Sequence, residues 1–251
     1  MERVLLRLRE LSQKPELVRL LAYPTMDEAY SEKILEELGE LEVEGVYFTA
    51  KPRLEPLRIG KGYRGVVLLA RRLGEDVALK ILRADAGIST LRREAELTSA
   101  ANRAGIGPCL LGSAEHVLAL EYIIGEDLDL WLGKADYSLR DIVRLVLRRC
   151  LEQARRLDEI GLDHGELSNA RRHILVKENL SPVILDFGKA SFSRKPHNVT
   201  SLFSYITYGP HSSKILEILD VSEKPLEVVR EYKREGSRES FEKILKALNL
   251  E

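Results

Sequence analysis

The chain has 251 residues, enough for one large domain or two small lobes and for a core that needs no disulfide or metal staple. Apolar residues make up 44% and charged residues 31%, a globular balance that excludes wholesale disorder. Lys and Arg number 39 against 40 Asp and Glu, and a net charge of −1 lacks the basic excess typical of nucleic-acid binders. The two cysteines, Cys109 and Cys150, exclude a disulfide framework and a four-cysteine zinc site. Both are expected to be buried, reduced thiols, which fits a cytoplasmic location. Charge interrupts the apolar residues of the N-terminal stretch every few positions, so neither a secretory leader nor a membrane span is expected.

In chain order, residues 3–22 show helical apolar spacing, broken near Pro15. A second helix is expected after Thr25, with Thr25 and Glu28 as a capping box and Gly39 as its stop. Residues 41–50 alternate and hold β-formers, which predicts a strand or hairpin. Residues 1–50 therefore read as a mostly helical appendage, and residues 51–56 as a linker. Residues 57–72 read as two short strands around a glycine turn, and 76–82 as a third strand. Residues 88–105 read as a helix capped near Ser89 or Thr90, and 116–124 as a buried strand. Beyond Gly125 the chain turns helical. Ser138 and Asp141 form another expected capping box for a helix over 139–160. Two short strands, His173–Val176 and Pro182–Phe187, follow, and the last 60 residues read as two or three helices. The expected domains are the appendage (1–50), a β-rich lobe with one helix (51–124) and a helical lobe (125–251).

Gly60-Lys61-Gly62-Tyr63-Arg64-Gly65-Val66-Val67 matches G-x-G-x-x-G-x-V. It opens strand material, Val66 to Ala70, and not the helix that a dinucleotide-binding fingerprint requires. A glycine loop inside a hairpin lets backbone amides approach phosphates closely. Val77-Ala78-Leu79-Lys80 ends a strand with one ammonium, suited to α- and β-phosphates. Glu94, on the next helix, can brace Lys80; Glu96 lies about 200° round the helix, so only one of the two faces inward, and Glu94 is preferred. Asp186-Phe187-Gly188 follows an apolar strand, where Asp186 can carry a divalent cation. Each piece alone has a bland reading; their order is the signal.

In that order the chain resembles the protein-kinase superfamily over residues 57–192, and within it the compact atypical kinases such as the RIO kinases and the small kinase of the tRNA-threonylcarbamoyl complex. The supporting stretches are Arg93-Glu94-Ala95, Ala104-Gly105-Ile106-Gly107-Pro108, Glu121-Tyr122-Ile123-Ile124-Gly125 and His164-Gly165-Glu166-Leu167. The resemblance implies an α+β, two-lobed protein-kinase-like fold with an N-terminal helical appendage. It implies an ATP-dependent serine/threonine kinase with Mg2+ (or Mn2+), the nucleotide lying between the lobes. Gly60, Lys61, Gly62, Gly65 and Val67 would cover the phosphates. Ala78 and the backbone from Glu121 to Ile123 would hold adenine, while Lys80, braced by Glu94, would hold the α- and β-phosphates and Asp186 the metal.

The catalytic loop departs from the family twice. The base position holds Glu166 where the family has aspartate; Asp163 is an alternative, ranked lower. The metal-binding asparagine position falls on His173, with Asn169 as the other candidate and a purely structural His173 as the third. Imidazole is a poor substitute where Mg2+ prefers oxygen. Two further readings therefore stand beside the kinase: a nucleotide-binding pseudokinase scaffold, and an ATPase or small-molecule kinase. Arg171, Arg172, Lys189, Arg194, Lys195 and His197 can form a basic rim for an acidic protein or RNA, or simply a solvated surface. No membrane partner is expected, the protein partner is open, and the chain is expected to be a monomer or weak dimer.

Overall fold

The computed structural model describes residues 3–50, 53–62 and 64–251; the expected linker residues Lys51 and Pro52, and Tyr63 of the glycine motif, lie outside them. The fold is α+β, and every strand pairing between its named strands is antiparallel. Two compact units are present: Met1–Ser99 with Pro108–Tyr122, and Ala100–Gly107 with Ile123–Glu251.

The first unit opens with β1 (Arg3–Arg7), short helices α1 (Leu8–Leu11) and α2 (Pro15–Val18), and α3 (Glu28–Glu40). Then come β2 (Val43–Thr49), β3 (Glu55–Pro56), β4 (Arg58–Lys61), β5 (Gly65–Arg72) and β6 (Glu75–Leu82). It continues with α4 (Arg92–Arg103), whose last turn belongs to the second unit, and closes with β7 (Leu110–Ser113) and β8 (Val117–Glu121). The sheet runs β1-β2-β5-β6-β8-β7, with β3 on β2 and β4 on β5.

The first fifty residues are richer in helix than in strand, as expected, but they are not a separate appendage. β1 pairs β2 in the register Arg3↔Thr49 and β2 pairs β5, so both join the sheet that carries Lys80. Leu11, Leu21, Ile34, Leu38, Val46 and Phe48 share one core with Leu68, Leu79, Ile81 and Val117. The helical spacing read over residues 3–22 breaks into a strand, two one-turn helices and a 3-10 turn (Arg19–Leu21). Burying a sheet edge outweighs helix propensity in pieces that short. The α3 cap also differs from the expected box: Asp27, not Thr25, accepts from the Tyr30 amide at 2.7 Å.

The second unit holds β9 (Glu126–Asp127), α5 (Leu128–Lys134), α6 (Arg140–Glu159), β10 (Ile174–Val176) and β11 (Pro182–Ile184). Four helices follow, more than the two or three expected: α7 (Asn198–Tyr208), α8 (Ser212–Ile218), α9 (Leu226–Glu235) and α10 (Arg238–Ala247). The extra break is at Gly236 (φ 64°), which ends α9 before Ser237 caps α10 by accepting from the Ser240 amide. On α6, Val143, Val146, Leu147, Cys150, Leu151, Ala154 and Leu157 form a continuous buried stripe. The expected Ser138 cap is instead Asp136, which accepts from the Ser138 amide at the start of a 3-10 turn. Arg149 and Gln153 of α6 donate to the carbonyls of Leu180 and Pro182, fixing β11 against the helix. Cys150 is buried, but Cys109 is exposed, contrary to expectation. Among the described residues no helix is long and apolar enough to cross a membrane.

Candidate functional site

The sequence-predicted residues fall into two sets. The first unit carries Gly60, Lys61, Gly62, Gly65, Val67, Ala78, Lys80, Glu94 and Glu121; the second carries Ile123, Glu166, Asn169, His173 and Asp186.

In the first unit, β4 and β5 form the glycine hairpin, closed by the Gly62 amide donating to the Gly65 carbonyl at 2.9 Å. Gly60 pairs with Val67, and Val67 in turn with Lys80 on β6. A Cβ on Gly65 would lie 3.0 Å from the Ile81 carbonyl oxygen and 3.3 Å from Lys80 Cε, so glycine admits the hairpin close to the lysine stem. Lys80 Nζ donates to Glu94 Oε1 at 2.5 Å, and both residues are buried at 6% and 7% exposure. Glu94 sits in the first turn of α4 with Ala95 and Thr98 on its buried face, whereas Glu96 is exposed. Lys61 lies with its ammonium 5.0 Å from the centre of the Tyr23 ring, which Arg58 and Arg83 also approach. Ala78 is buried, and Glu121 accepts from the Cys109 amide at 3.2 Å.

In the second unit a chain of buried groups shapes the loop after α6. Asp158 of α6 accepts from the Asn198 and Val199 amides, capping α7, and from Tyr232 Oη. Burial raises its carboxyl above the usual range. Asn198 in turn accepts from the His164 amide and donates to the Leu162 carbonyl. His164 is fully buried, donates from Nε2 to the Leu185 carbonyl at 3.0 Å, and packs edge-on against Phe187 and His173. Burial depresses it to about 4, so its imidazole is neutral and braces the loop. Between pH 6.5 and 4 the unfolded chain therefore binds more protons at this residue than the folded one, and stability falls on acidification. His164 is expected to contribute about 2 kcal/mol less at pH 5 than at pH 7.5. Urea unfolding of the parent and His164→Gln at both pH values checks this: the variant should lose less stability on acidification, by that amount.

Asp186 has φ 65°, the left-handed region that non-glycine residues rarely adopt, and accepts from the Gly188 amide at 3.1 Å. Glu166 is partly buried, with Lys189 Nζ 2.8 Å from Oε1 and His173 Nε2 3.9 Å from the same oxygen. Asp163, the alternative base, is 1% exposed and engaged by Arg194 at 2.7 Å and His197 at 3.1 Å, so it is committed elsewhere. Asn169 is exposed on a 3-10 turn, at φ −121° and ψ 52°. His173 is buried, and its Nδ1 has no hydrogen-bond partner among the described residues.

For a divalent cation of the Mg2+ or Mn2+ kind, the Asp186 carboxylate supplies the oxygen such ions require, and Asn169 carries an exposed oxygen of suitable type. His173 does not fit Mg2+: its donor is nitrogen and its ring is buried among His164 and the loop. Asp186, Glu166 and His173 do not gather their ligand atoms within 4.8 Å of one another. Among the described residues Glu37, Glu115 and His116 are the one His, Cys, Asp or Glu trio that does.

That trio was missed from sequence. Glu37 lies on the buried stripe of α3 and binds His116 through both carboxylate oxygens, to the amide at 2.8 Å and to Nδ1 at 2.5 Å. Its signal was a glutamate in register with Ile34 and Leu38. Beside it opens a cavity of about 580 Å3 lined by Lys33, Glu36, Arg92, Glu96 and Glu115, none of them a predicted site residue. The Glu166–Lys189 and Asp163–Arg194 pairs were also unforeseen.

No protein-family model matches the chain, and no curated protein is significantly similar to it.

Proposed function

We propose that this chain is an ATP-dependent phosphotransferase with a kinase-like, two-lobed fold, acting on a serine or threonine hydroxyl. The observation that carries the reading is the buried Lys80–Glu94 pair next to Gly65 of the glycine hairpin. A buried ion pair is a poor way to stabilise a core, because desolvation offsets its attraction; keeping one beside a glycine hairpin points to work on a charged ligand. The ordered loop that carries Glu166 and the left-handed Asp186 supply the second part.

In this reading the glycine hairpin and Lys80 bind the phosphates, and Glu94 holds the ammonium in place. Asp186 would hold the divalent cation, which supplies charge neutralisation on the phosphates. The acceptor hydroxyl oxygen bonds to the γ-phosphorus as the bond to the bridging oxygen breaks. ADP leaves with that electron pair, and the hydroxyl proton passes to Glu166. His164 holds the loop and moves no proton.

A pseudokinase scaffold is the second reading. It is favoured by the mismatch at His173 and by Glu166 standing where an aspartate is usual. Radiolabelled γ-phosphate transfer with MgATP or MnATP and a lysate fraction separates the two, with Lys80→Ala and Asp186→Ala as controls and nucleotide binding measured in parallel. Protein-bound label that both substitutions remove is the expected result. Free phosphate alone points to an ATPase, and tight binding without transfer to the scaffold. A chain that binds no nucleotide overturns all three.

A further inference from the structure

We propose that Lys189 is a positioning residue for the Glu166 carboxylate, holding one oxygen so that the other faces the acceptor hydroxyl; this rests on the phosphotransferase reading above. Glutamate reaches about one methylene farther than aspartate, and a displacement near 1 Å at a reacting group can cost on the order of 100-fold in rate. A glutamate serving as base therefore needs a second anchor, and the second unit supplies one. Lys189 Nζ donates to Oε1 at 2.8 Å, while Oε2 takes no hydrogen bond among the described residues. The pair is partly open, with side-chain exposures of 55% for Lys189 and 22% for Glu166.

Lys189 is itself fixed. Its carbonyl accepts from Arg194 Nη2 at 2.7 Å, and Arg194 Nε donates to the buried Asp163 Oδ2 at 2.7 Å. Asp163 and Ser191 exchange backbone hydrogen bonds of 3.0 and 2.8 Å. The segment after Asp186 is thereby tied to the loop that carries Glu166. Gly165 makes the crossing possible: its φ is 83°, and a Cβ there would lie 2.6 Å from Arg194 Nη2 and 3.2 Å from the Lys189 carbonyl oxygen. The same clamp occupies Asp163 with Arg194 and His197, leaving Glu166 as the carboxylate of this loop with an open oxygen. Removing Lys189 should therefore act through Glu166 and leave nucleotide affinity alone.

The test is steady-state γ-phosphate transfer by the full chain, with kcat and the KM for ATP measured separately. Lys189→Met is expected to lower kcat about tenfold with KM unchanged within about twofold, and Lys189→Arg to restore kcat to within about threefold. In a Glu166→Gln background Lys189→Met should cause no further loss, because the group it positions is gone. The thermal midpoint should not move, since a half-exposed pair contributes little to stability. Equal losses in both backgrounds, a KM effect at constant kcat, or a rise in kcat would each overturn the proposal. A parent chain that transfers no phosphate overturns the phosphotransferase reading and this inference with it. Parent activity that Lys189→Met leaves unchanged overturns this inference alone.

Discussion

The double variant Lys80→Met/Glu94→Leu is expected to stay within about 2 kcal/mol of the parent in stability and to lose γ-phosphate transfer by at least about 100-fold. The two expectations separate the fold from its chemistry. Both side chains are buried, and apolar groups of similar volume can fill the same space without desolvating charge. Glu94→Leu alone should be worse, by about 3–5 kcal/mol, because it removes one member of a buried, hydrogen-bonded ion pair and keeps the other. Urea unfolding of the parent, each single variant and the double variant gives this ordering directly. Transfer and nucleotide binding, measured on the same preparations, give the rest. A double variant that still transfers phosphate would show that the pair takes no part in the transfer and would remove the observation on which the assignment of Lys80 and Glu94 rests. A double variant as unstable as Glu94→Leu would show that the charge pair itself holds β6 to α4.

What the sequence revealed about the site followed from local pattern. Lys80 lies near the end of an apolar strand, and Glu94 falls beside Ala95 and Thr98 on the inward face of a helix, so two short periodicities suffice to bring them into register. Asp186 is marked by the apolar strand before it. Residues linked across the chain left no such trace: Lys189 meets Glu166 from 23 positions away, and Arg194 meets Asp163 from 31. The N-terminal strand shows the same limit in the fold. Arg-Val-Leu-Leu-Arg carries too few residues to distinguish a helical from an extended period, and its pairing with β2 decides the matter. Element type was legible in the longest segments, α3, α6, β5 and β6. The cap residues were not, because Asp27 and Asp136 compete with Thr25 and Ser138 only two positions away.

Glu37→Ala is expected to destabilise the chain by about 2–5 kcal/mol, although Glu37 lies outside the proposed chemistry. Its two oxygens satisfy the main-chain amide and the Nδ1 of His116, a buried residue whose ring also meets Tyr30 edge-on at 5.3 Å. Alanine leaves both donors buried without an acceptor, each costing about 1–3 kcal/mol. Glu37→Gln should cost less, about 1–2 kcal/mol, since its amide oxygen still accepts from the main chain and its NH2 can donate to the other imidazole tautomer. The consequence reaches the candidate site through the sheet. His116 precedes β8, and β8 pairs Leu118 with Lys80. Glu37 on α3 therefore helps hold the strand beside the one that bears the lysine, which gives the first fifty residues a role in the sheet. Hydrogen exchange should show the effect locally, with the His116 and Leu118 amides of Glu37→Ala exchanging faster than those of the parent. A loss below about 1 kcal/mol with unchanged protection at His116 would mean that the shared apolar core, and not this carboxylate, fastens α3 to the sheet.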